Sequence, residues 1–426
     1  MIRNIVRTAL LTSALVTVAV GGALAKDTVV WWDFLGGGDG VRMKKLIEDF
    51  NAEHKDTIEI QATTLDWGTP FYSKVQTSTA VGEGPDIMTY HASRIPLGVS
   101  QNVLSEITAD DMKAMGLSQD SFAAATWDAV HVDGKQYAVP FDQHPIVLYY
   151  NKDKLAAAGL IGADGLPTGL NGLDNFDAAL KKLKDGGSKW GISTVTADGS
   201  FAFRTIYSLL CQQNGEIGSD GNWFPGDSKE KLAKAVQVIA DWVKDGLNPS
   251  NTDYPSTVAL FTSGDAPLMI NGVWEVPTMV DLEKQGKLFN WGAIELPVLF
   301  DHACTYADSH TLAIPNNAGK TVDPSKHADV LEIIKWMEGH ALFWATAGHI
   351  PANKAVTESA EYKAMQPQAT YAPVMANLVF DPKSKFAGVA SPLFDAAGNS
   401  FTPAINGEIS AEDAANEVTE TLNALK

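Results

Sequence analysis

Aromatic side chains stand beside charged ones at several points where predicted strands end. An aromatic ring offers an apolar face to the C–H surface of a sugar, and a neighbouring carboxylate or guanidinium group bonds sugar hydroxyls. In open α/β sheets, ligands bind beyond the carboxyl ends of the strands, so this placement favours a binding site. The residues concerned are Trp32, Asp33, Asp66, Trp67, Tyr90, Arg94, Trp274 and Glu275.

Four of the nine histidines lie at predicted strand ends or in loops, namely His91, His144, His310 and His349. Imidazole is a common metal ligand, but these four share no ligand spacing, and two cysteines are too few for a multi-cysteine metal site. We therefore expect no bound metal ion. We place His144, His310 and His349 among the polar contacts of a ligand.

Motifs typical of catalysis are absent from the sequence: it has no G-x-S-x-G, G-x-x-x-x-G-K-[ST], H-E-x-x-H or C-x-x-C. The glycine-rich stretch 36–40 does not match G-x-G-x-x-G, so we expect no dinucleotide and no other cofactor. Its backbone N–H groups suit a hydroxyl-rich or anionic ligand, and Asp39 is predicted to be a helix N-cap. The alternative to a binding protein is a carbohydrate-active enzyme. Its candidate catalytic carboxylates would be Asp33, Asp142 and Glu275.

The elements that must position these residues alternate along the chain. Short apolar or β-branched runs at 28–32, 58–62 and 86–90 predict strands, and helical spacing of apolar residues predicts helices between them. This order is typical of βαβ units and of a mainly parallel sheet, and it returns in the second half of the chain. We expect loops at 141–145, 162–175, 214–228 and 378–403.

Length and composition describe a globular, acidic protein. The 426 residues exceed one ordinary core, which predicts two domains. A formal net charge of −19 without a basic run argues against nucleic acid or an anionic membrane as a partner. Cys211 and Cys304 could form one disulfide or remain two buried thiols, and the sequence leaves both open.

The first 25 residues have the pattern of a cleaved secretory signal peptide. Arg3 and Arg7 precede an apolar stretch at 9–20, and Ala23 and Ala25 form a small-x-small cleavage site. The apolar stretch is shorter than the ~20 residues of a membrane-spanning helix, and no cysteine near the cleavage site could carry a lipid. We expect a periplasmic protein without a lipid anchor.

Short sequence stretches along nearly the whole mature chain resemble one known family, the extracellular solute-binding proteins (family 1) that feed ATP-driven sugar importers, of the maltose-binding type. Each stretch is weakly specific alone, but their order and spacing together carry the resemblance. They are 82–87 (GEGPDI), 134–140 (GKQYAVP), 148–153 (LYYNKD), 158–160 (AGL), 269–274 (MINGVW), 295–297 (ELP), 309–315 (SHTLAIP) and 348–352 (GHIPA).

The resemblance implies an α/β periplasmic-binding-protein fold of two lobes, each a mainly parallel sheet flanked by helices, with the ligand in the cleft between them. The N-terminal lobe would hold 26–142 and about 309–355, and the C-terminal lobe 146–304 and about 356–426. Hinge crossings would fall near 142–146, 304–310 and 350–365.

The resemblance also implies which residues contact the ligand. The family's stacking tryptophan falls on Trp274, its strand-end aromatic residue on Tyr90, and its basic neighbour on Arg94. The family's acidic residue before that basic one is Ser93 here, which argues against maltodextrin itself. The full expected set is Asp33, Phe34, Trp67, Tyr90, Arg94, Asp142, His144, Trp274, Glu275, His310 and His349.

Together these patterns predict a periplasmic protein that captures a sugar or oligosaccharide and delivers it to the permease subunits of an ABC importer. It would act as a monomer and without covalent chemistry. One alternative is a binding protein of the same fold for a phosphorylated or otherwise anionic sugar, a polyol or another solute. The other is the secreted carbohydrate-active enzyme.

Overall fold

The computed structural model describes residues 26–219, 221–320 and 323–425, so the predicted signal peptide lies outside the described residues. The strands are β1 (Asp27–Asp33), β2 (Ile58–Thr64), β3 (Ile87–His91), β4 (His131–Val132), β5 (Lys135–Gln136), β6 (Val139–Pro140), β7 (Asp142–Asn151), β8 (Gly218–Ser219), β9 (Asn222–Trp223), β10 (Leu268–Gly272), β11 (Trp291–Glu295), β12 (Thr305–Asp308), β13 (His310–Ala313), β14 (Ile350–Pro351) and β15 (Leu378–Val379).

The helices surround two sheets. They are α1 (Gly38–Glu53), α2 (Thr69–Ala80), α3 (Ile95–Ser100), α4 (Ala109–Met115), α5 (Ala124–Ala129), α6 (Lys152–Ala157), α7 (Leu173–Asp185), α8 (Gly199–Gln212), α9 (Ser228–Lys244), α10 (Tyr254–Thr262), α11 (Val276–Lys284), α12 (Pro324–Gly339), α13 (Ala341–Trp344), α14 (Lys354–Thr357), α15 (Ala360–Ala364), α16 (Gln368–Tyr371), α17 (Pro392–Ile405) and α18 (Ala411–Asn423). None of the helices in the described ranges is long and apolar enough to cross a bilayer.

The first sheet has the order β2-β1-β3-β13-β6, and its β2-β1-β3 part is parallel as predicted. Along β1 every second residue is buried, which places Val29 and Trp31 in the core. Helix α1 covers this sheet with an apolar stripe that includes Met43, Leu46 and Phe50. The carboxyl ends of β1, β2 and β3 therefore meet at one edge of the sheet.

The second sheet is built around β7, and here the prediction of a mainly parallel sheet is wrong. Strands β10, β11, β12 and β14 all pair with β7 in antiparallel orientation, and among the described strands of this sheet only β12 and β15 pair in parallel. All ten residues of β7 are buried. The prediction rested on the alternation of strands and helices along the chain, and this alternation alone does not fix the direction in which two strands pair.

Two predicted loops are regular structure. Residues 142–145 begin β7, because His144 and Pro145 pair with Asp308 and Ala307. Residues 392–403 belong to α17, which Ser391 caps and which packs on α8 and α18. The partner strand of residues 142–145 and the helix α8 both lie far away in sequence, so local composition could not reveal them.

The chain passes from the first sheet to the second between β6 and β7, and returns between β12 and β13. Strand β14 then pairs Ile350 and Pro351 with Gln143 and Asp142, so this later segment lies against the first crossing. The lobe boundaries given above stay a prediction.

A disulfide joins Cys211 at the end of α8 to Cys304 just before β12, with a Cα–Cα distance of 5.8 Å. This resolves the alternative that the sequence left open. The bond fixes α8 to the strand that returns to the first sheet, and α8 carries residues of the site described next.

Candidate functional site

A cavity of about 560 Å³ lies between the two sheets, at the carboxyl ends of β1, β2 and β3. The first lobe supplies Phe34, Leu35, Gly36, Gly37, Gly38, Asp39, Thr64, Leu65, Asp66, Trp67 and His91. The second lobe and the crossings supply His144, Asp198, Phe201, Arg204, Tyr254, Trp274, Glu275, Asp308, His310 and Val389. Both lobes thus share one lined space.

Trp274 is the centre of an aromatic wall on the second lobe. Its Nε1 donates a hydrogen bond of 2.8 Å to the hydroxyl of Tyr254, which in turn donates to the carboxylate of Glu275. Burial raises the pKa of Glu275 and of Tyr254 above their ordinary values. Phe201 packs edge-on against Tyr254 at 5.0 Å. These contacts hold the indole in place, and Trp67, which is 49% exposed, lines the cavity from the first lobe.

The glycine-rich loop brings backbone close to the cavity and to the other lobe. A Cβ atom on Gly38 would meet the Cβ of Pro277 in α11 at 2.5 Å. The prediction that Asp39 caps α1 is wrong, because Gly37 occupies the N-cap position and Asp39 lies in the first turn. Its carboxylate instead accepts hydrogen bonds from the amides of Gly37 and Gly40.

Asp142 is a fully buried hub at the first crossing. One oxygen accepts from Nδ1 of His144 (3.0 Å) and from the backbone N–H of His310 (2.9 Å). The other accepts from Nδ1 of His310 and from Nε1 of Trp344, both at 2.8 Å. The ring of His349 stacks on Trp344, and its Nδ1 lies 3.6 Å from Asp142. This network joins β7, β13 and the segment that precedes β14.

The members of the network have pKa values that are shifted in different directions. Burial would raise the pKa of Asp142, but the surrounding imidazoles outweigh burial and hold it well below its ordinary value. Burial opposes a charge on His310 as well, yet the Asp142 carboxylate outweighs it and raises the pKa of His310. Burial, helped by the charge of His310, lowers the pKa of His144 to about 4. In neutral solution Asp142 is therefore ionised and His144 is neutral, and the carboxylate of Asp142 favours the protonated form of His310.

Two clusters in the described residues could hold a metal ion, although the sequence spacing of the histidines led us to expect none. Asp142, His144, His310 and His349 offer ligand atoms within 4.8 Å of one another, and so do His91, His144 and Asp308. In the first cluster both oxygens of Asp142 already accept two hydrogen bonds each, which compensates its charge without an ion. A third grouping contains Cys211 and Cys304, whose sulfurs are joined in the disulfide.

Six of the eleven expected ligand contacts line the cavity: Phe34, Trp67, His144, Trp274, Glu275 and His310. Their contact with a ligand stays a prediction.

The other five side chains do not line the cavity. Asp142 and His349 are buried in the hub, and Tyr90 is buried beneath Tyr72 with ring centroids 5.2 Å apart. The carboxylate of Asp33 turns back to the amide of Leu35 at 3.0 Å, and burial raises its pKa to about 6. These residues support the site instead of facing it.

Arg94 also acts on the cavity only indirectly. Its Nη1 donates to the carbonyl oxygens of Val389 (3.2 Å) and Ala390 (2.5 Å). Since Val389 lines the cavity, Arg94 positions part of the wall.

Sequence reasoning missed several lining residues, above all Asp198, Phe201 and Arg204. They follow one another at intervals of three along the start of α8, which puts them on one side of the helix. One arginine within the otherwise uncharged run 199–212 was the available signal. His91, directly after Tyr90 at the end of β3, was missed because Tyr90 was given the strand-end role.

A cavity shared by two α/β lobes that are joined by several crossings is the arrangement of a two-lobed solute-binding protein. The chain belongs to the family described as bacterial extracellular solute-binding protein, whose sequence profile matches residues 45–369.

Relatives and solved structures agree with this assignment. The galactooligosaccharide-binding protein of Bacillus subtilis (strain 168) is 28% identical over 232 residues, which span 51% of this chain and 48% of that one. The maltodextrin-binding protein MdxE of the same strain is 25% identical over 363 residues, or 80% of this chain and 78% of that one. The GacH receptor of Streptomyces glaucescens, also solved with acarbose, superposes with a TM-score of 0.77 at 18% identity over 94% of this chain and 100% of that one.

Proposed function

We propose that this protein captures a sugar or oligosaccharide in the periplasm and delivers it to the permease subunits of an ABC importer. One observation carries the proposal: the cavity between the lobes has Trp67 on one side and Trp274 on the other. Its volume of about 560 Å³ lies in the usual range of small-molecule sites, ~300–1,000 Å³. The names of the galactooligosaccharide- and maltodextrin-binding relatives support the same ligand class.

The chemistry of the walls suits a hydroxyl-rich ring. Trp274 and Trp67 offer apolar faces to C–H groups, and the carboxylates of Glu275 and Asp198 are acceptors for hydroxyls. The imidazoles of His144 and His310 use Nδ1 for Asp142, which leaves their Nε2 atoms for a ligand. Aromatic stacking and hydrogen bonding are thus available within one space.

Transport requires capture and release, and the interlobe contacts support a hinge. Arg42 of α1 donates to both carboxylate oxygens of Asp281 on α11, each at 2.8 Å. The two helices belong to different lobes, so this ion pair exists only when the lobes are close. A ligand that touches both lobes would favour the same closed state.

The arrangement supports binding without chemistry. Of the three candidate catalytic carboxylates, Asp33 and Asp142 do not line the cavity, and Glu275 accepts a hydrogen bond from Tyr254. A pair of free carboxylates facing one glycosidic bond would be required for hydrolysis. We propose a monomer that needs no cofactor.

Calorimetric titration with neutral maltooligosaccharides and galactooligosaccharides tests this function. We expect saturable binding of at least one of them, and chromatography of the recovered sugar should show it intact. Hydrolysed product, with a rate that depends on Glu275, would support the enzyme alternative. Absence of binding to any saccharide would contradict the proposal.

A further inference from the structure

Arg204 in α8 is a buried cation that lines the cavity and lacks a partner. It is 6% exposed. Within the described residues its guanidinium takes part in no hydrogen bond and in no ion pair, whereas that of Arg94 has two carbonyl partners. None of its nitrogen atoms is among the fully buried side-chain atoms without a partner, so its unpaired N–H donors keep access to the cavity. A group from outside the chain that enters the cavity can therefore accept hydrogen bonds from these donors.

Aromatic rings surround this guanidinium and orient it. Its central carbon lies 5.0 Å from the ring of Phe201, 5.1 Å from Phe394 and 5.6 Å from Trp67. Cation–π contacts of this kind hold the planar group without using its N–H donors. The donors remain available for a planar or tetrahedral anion, which guanidinium groups bind in a two-pronged manner.

His91 adds a neutral donor beside Arg204. The backbone N–H of His91 donates to the hydroxyl oxygen of Tyr72 (3.4 Å), so the hydroxyl hydrogen of Tyr72 is directed to Nδ1 of His91 (2.6 Å). The imidazole proton is then on Nε2, which has no partner among the described residues. Trp67 connects the two groups, since its ring lies edge-on to His91 at 6.0 Å.

Among the described residues, no carboxylate forms an ion pair with Arg204. Asp198 accepts from the amides at the start of α8, and Asp308 accepts from the amides of Ser93 and Ser309. Asp381 forms no ion pair with Arg204, and burial raises its pKa to about 7, so its charge compensates only in part. Each of these groups already has donors of its own.

We propose that the cavity binds a saccharide or polyol with an anionic substituent, a carboxylate, phosphate or sulfonate, and that Arg204 and His91 hold that substituent. The inference rests on the proposed function and names the class of its ligand. The remaining aromatic wall at Trp274 then contacts the uncharged part of the same molecule. Arg94, which the sequence favoured as the ligand's basic contact, is a structural residue in this account.

Pairs of probes, of which one member carries an anionic substituent that the other lacks, test the inference on the mature protein. Suitable pairs are galactose with galacturonate, glucose with glucose 6-phosphate, and glycerol with glycerol 3-phosphate, with inorganic phosphate as a further probe. In at least one pair we expect the anionic member to bind more tightly in calorimetry and to raise the thermal midpoint further. The preference identifies the kind of anion.

Two arginine variants with the same change in net charge make the comparison specific. Arg204→Met should weaken binding of the preferred anionic probe by about ten- to a hundredfold, because a charge-assisted hydrogen bond is lost. It should weaken binding of the neutral partner much less, and it should leave the ligand-free thermal midpoint nearly unchanged. Arg94→Met should lower the midpoint, because it releases two carbonyl groups, and should keep the preference for the anion. Arg204→Lys, which retains the charge, should keep part of the affinity.

Three results would overturn the inference. They are anionic probes that bind no better than their neutral partners, an Arg204→Met variant that weakens both partners equally, and a ligand-free Arg204→Met variant that melts as low as Arg94→Met. If neutral saccharides still bind in these cases, the proposed function stands and only the ligand class is wrong. If no probe of either kind binds, both fall together.

Discussion

At the scale of single residues, the charge of Asp142 organises the crossing between the lobes. A buried carboxylate is tolerated only with donors on both oxygens, and His144, His310 and Trp344 supply them. These donors come from three separate segments of the chain. Hydrogen bonds from Nδ1 of His144 and of His310 to the one carboxylate of Asp142 therefore orient both imidazoles in the cavity wall.

The network predicts that two of its histidines change the stability of the protein with pH in opposite directions. His144 has a folded-state pKa of about 4, whereas an unfolded histidine titrates near ~6.5. Between these values the unfolded chain holds a proton that the folded protein lacks, so the free energy of unfolding rises with pH. The pKa of His310 is raised, so above about 6.5 the folded protein holds the extra proton and stability falls as the pH rises.

Urea unfolding of wild type and of His144→Gln from pH 4.5 to 8.5 tests whether His144 makes the free energy of unfolding rise with pH. The variant should lose part of the rise below pH ~6.5. The difference between the two proteins separates His144 from groups such as Asp33, whose pKa of about 6 acts in the opposite direction. His302→Gln, at an exposed histidine, is the control and should follow wild type. Parallel curves for His144→Gln and wild type would show that His144 is not held neutral.

The stacking role of Trp274 is a second prediction at this scale. Trp274→Ala should reduce saccharide affinity by ~2–3 kcal/mol, on the order of a hundredfold, because a large apolar face is removed from the ligand. Calorimetry measures the loss. Trp127→Ala, at a half-buried tryptophan of α5 outside this cavity, should leave affinity unchanged. A Trp274→Ala variant with wild-type affinity would show that Trp274 packs within the cavity wall and does not stack on the ligand.

At the scale of elements, the start of α1 lies against α11 of the other lobe. Gly38 meets Pro277 there, and the pair Arg42–Asp281 lies one turn further along α1. Gly38 has no left-handed backbone conformation, so an alanine is permitted in the helix itself. Only the close approach of the two lobes requires a glycine at this position.

Gly38→Ala should therefore disfavour closure without unfolding either lobe. We expect about a tenfold loss of ligand affinity, because overpacking costs ~1–3 kcal/mol. Gly339→Ala at the end of α12, outside the cavity, is the control, since its Cβ would also meet nothing within 4 Å. Equal affinities of the two variants would mean that α1 and α11 do not approach in the ligand-bound state.

How far the sequence predicts these elements depends on how local their causes are. The strand β1 and the helix α1 follow from periodicity within a few residues, and the structure has both. The antiparallel pairing of β7 depends on strands far away in sequence, and α17 packs on the equally distant α8 as well as on the adjacent α18. Local composition holds no information about such partners, so both predictions failed.

The same limit explains the site. A motif places Trp274 and Glu275 at a strand end, which is enough to bring them to the cavity. It does not tell which way a neighbouring side chain turns, and so Asp33 and Arg94 were expected to face the ligand. Arg204 can be recognised as a site residue only from the structure, which shows that its guanidinium lines the cavity and has no hydrogen-bonding partner among the described residues.

At the scale of the whole molecule, the chain passes between its two sheets more than once, so the lobes cannot rotate freely about a single linker. Strands β7, β12 and β14 lie together at the crossing and are bound by the Asp142 network. Motion should then be a hinge rotation that opens and closes the cavity between Trp67 and Trp274.

Small-angle X-ray scattering with and without a saturating ligand from the binding screen tests this claim most directly. We expect the ligand to lower the radius of gyration, and the curve of the complex to match the described arrangement, in which α1 touches α11. Gly38→Ala should reduce that change at equal ligand concentration. Superimposable curves for the free and the saturated wild-type protein would contradict capture by closure of two lobes.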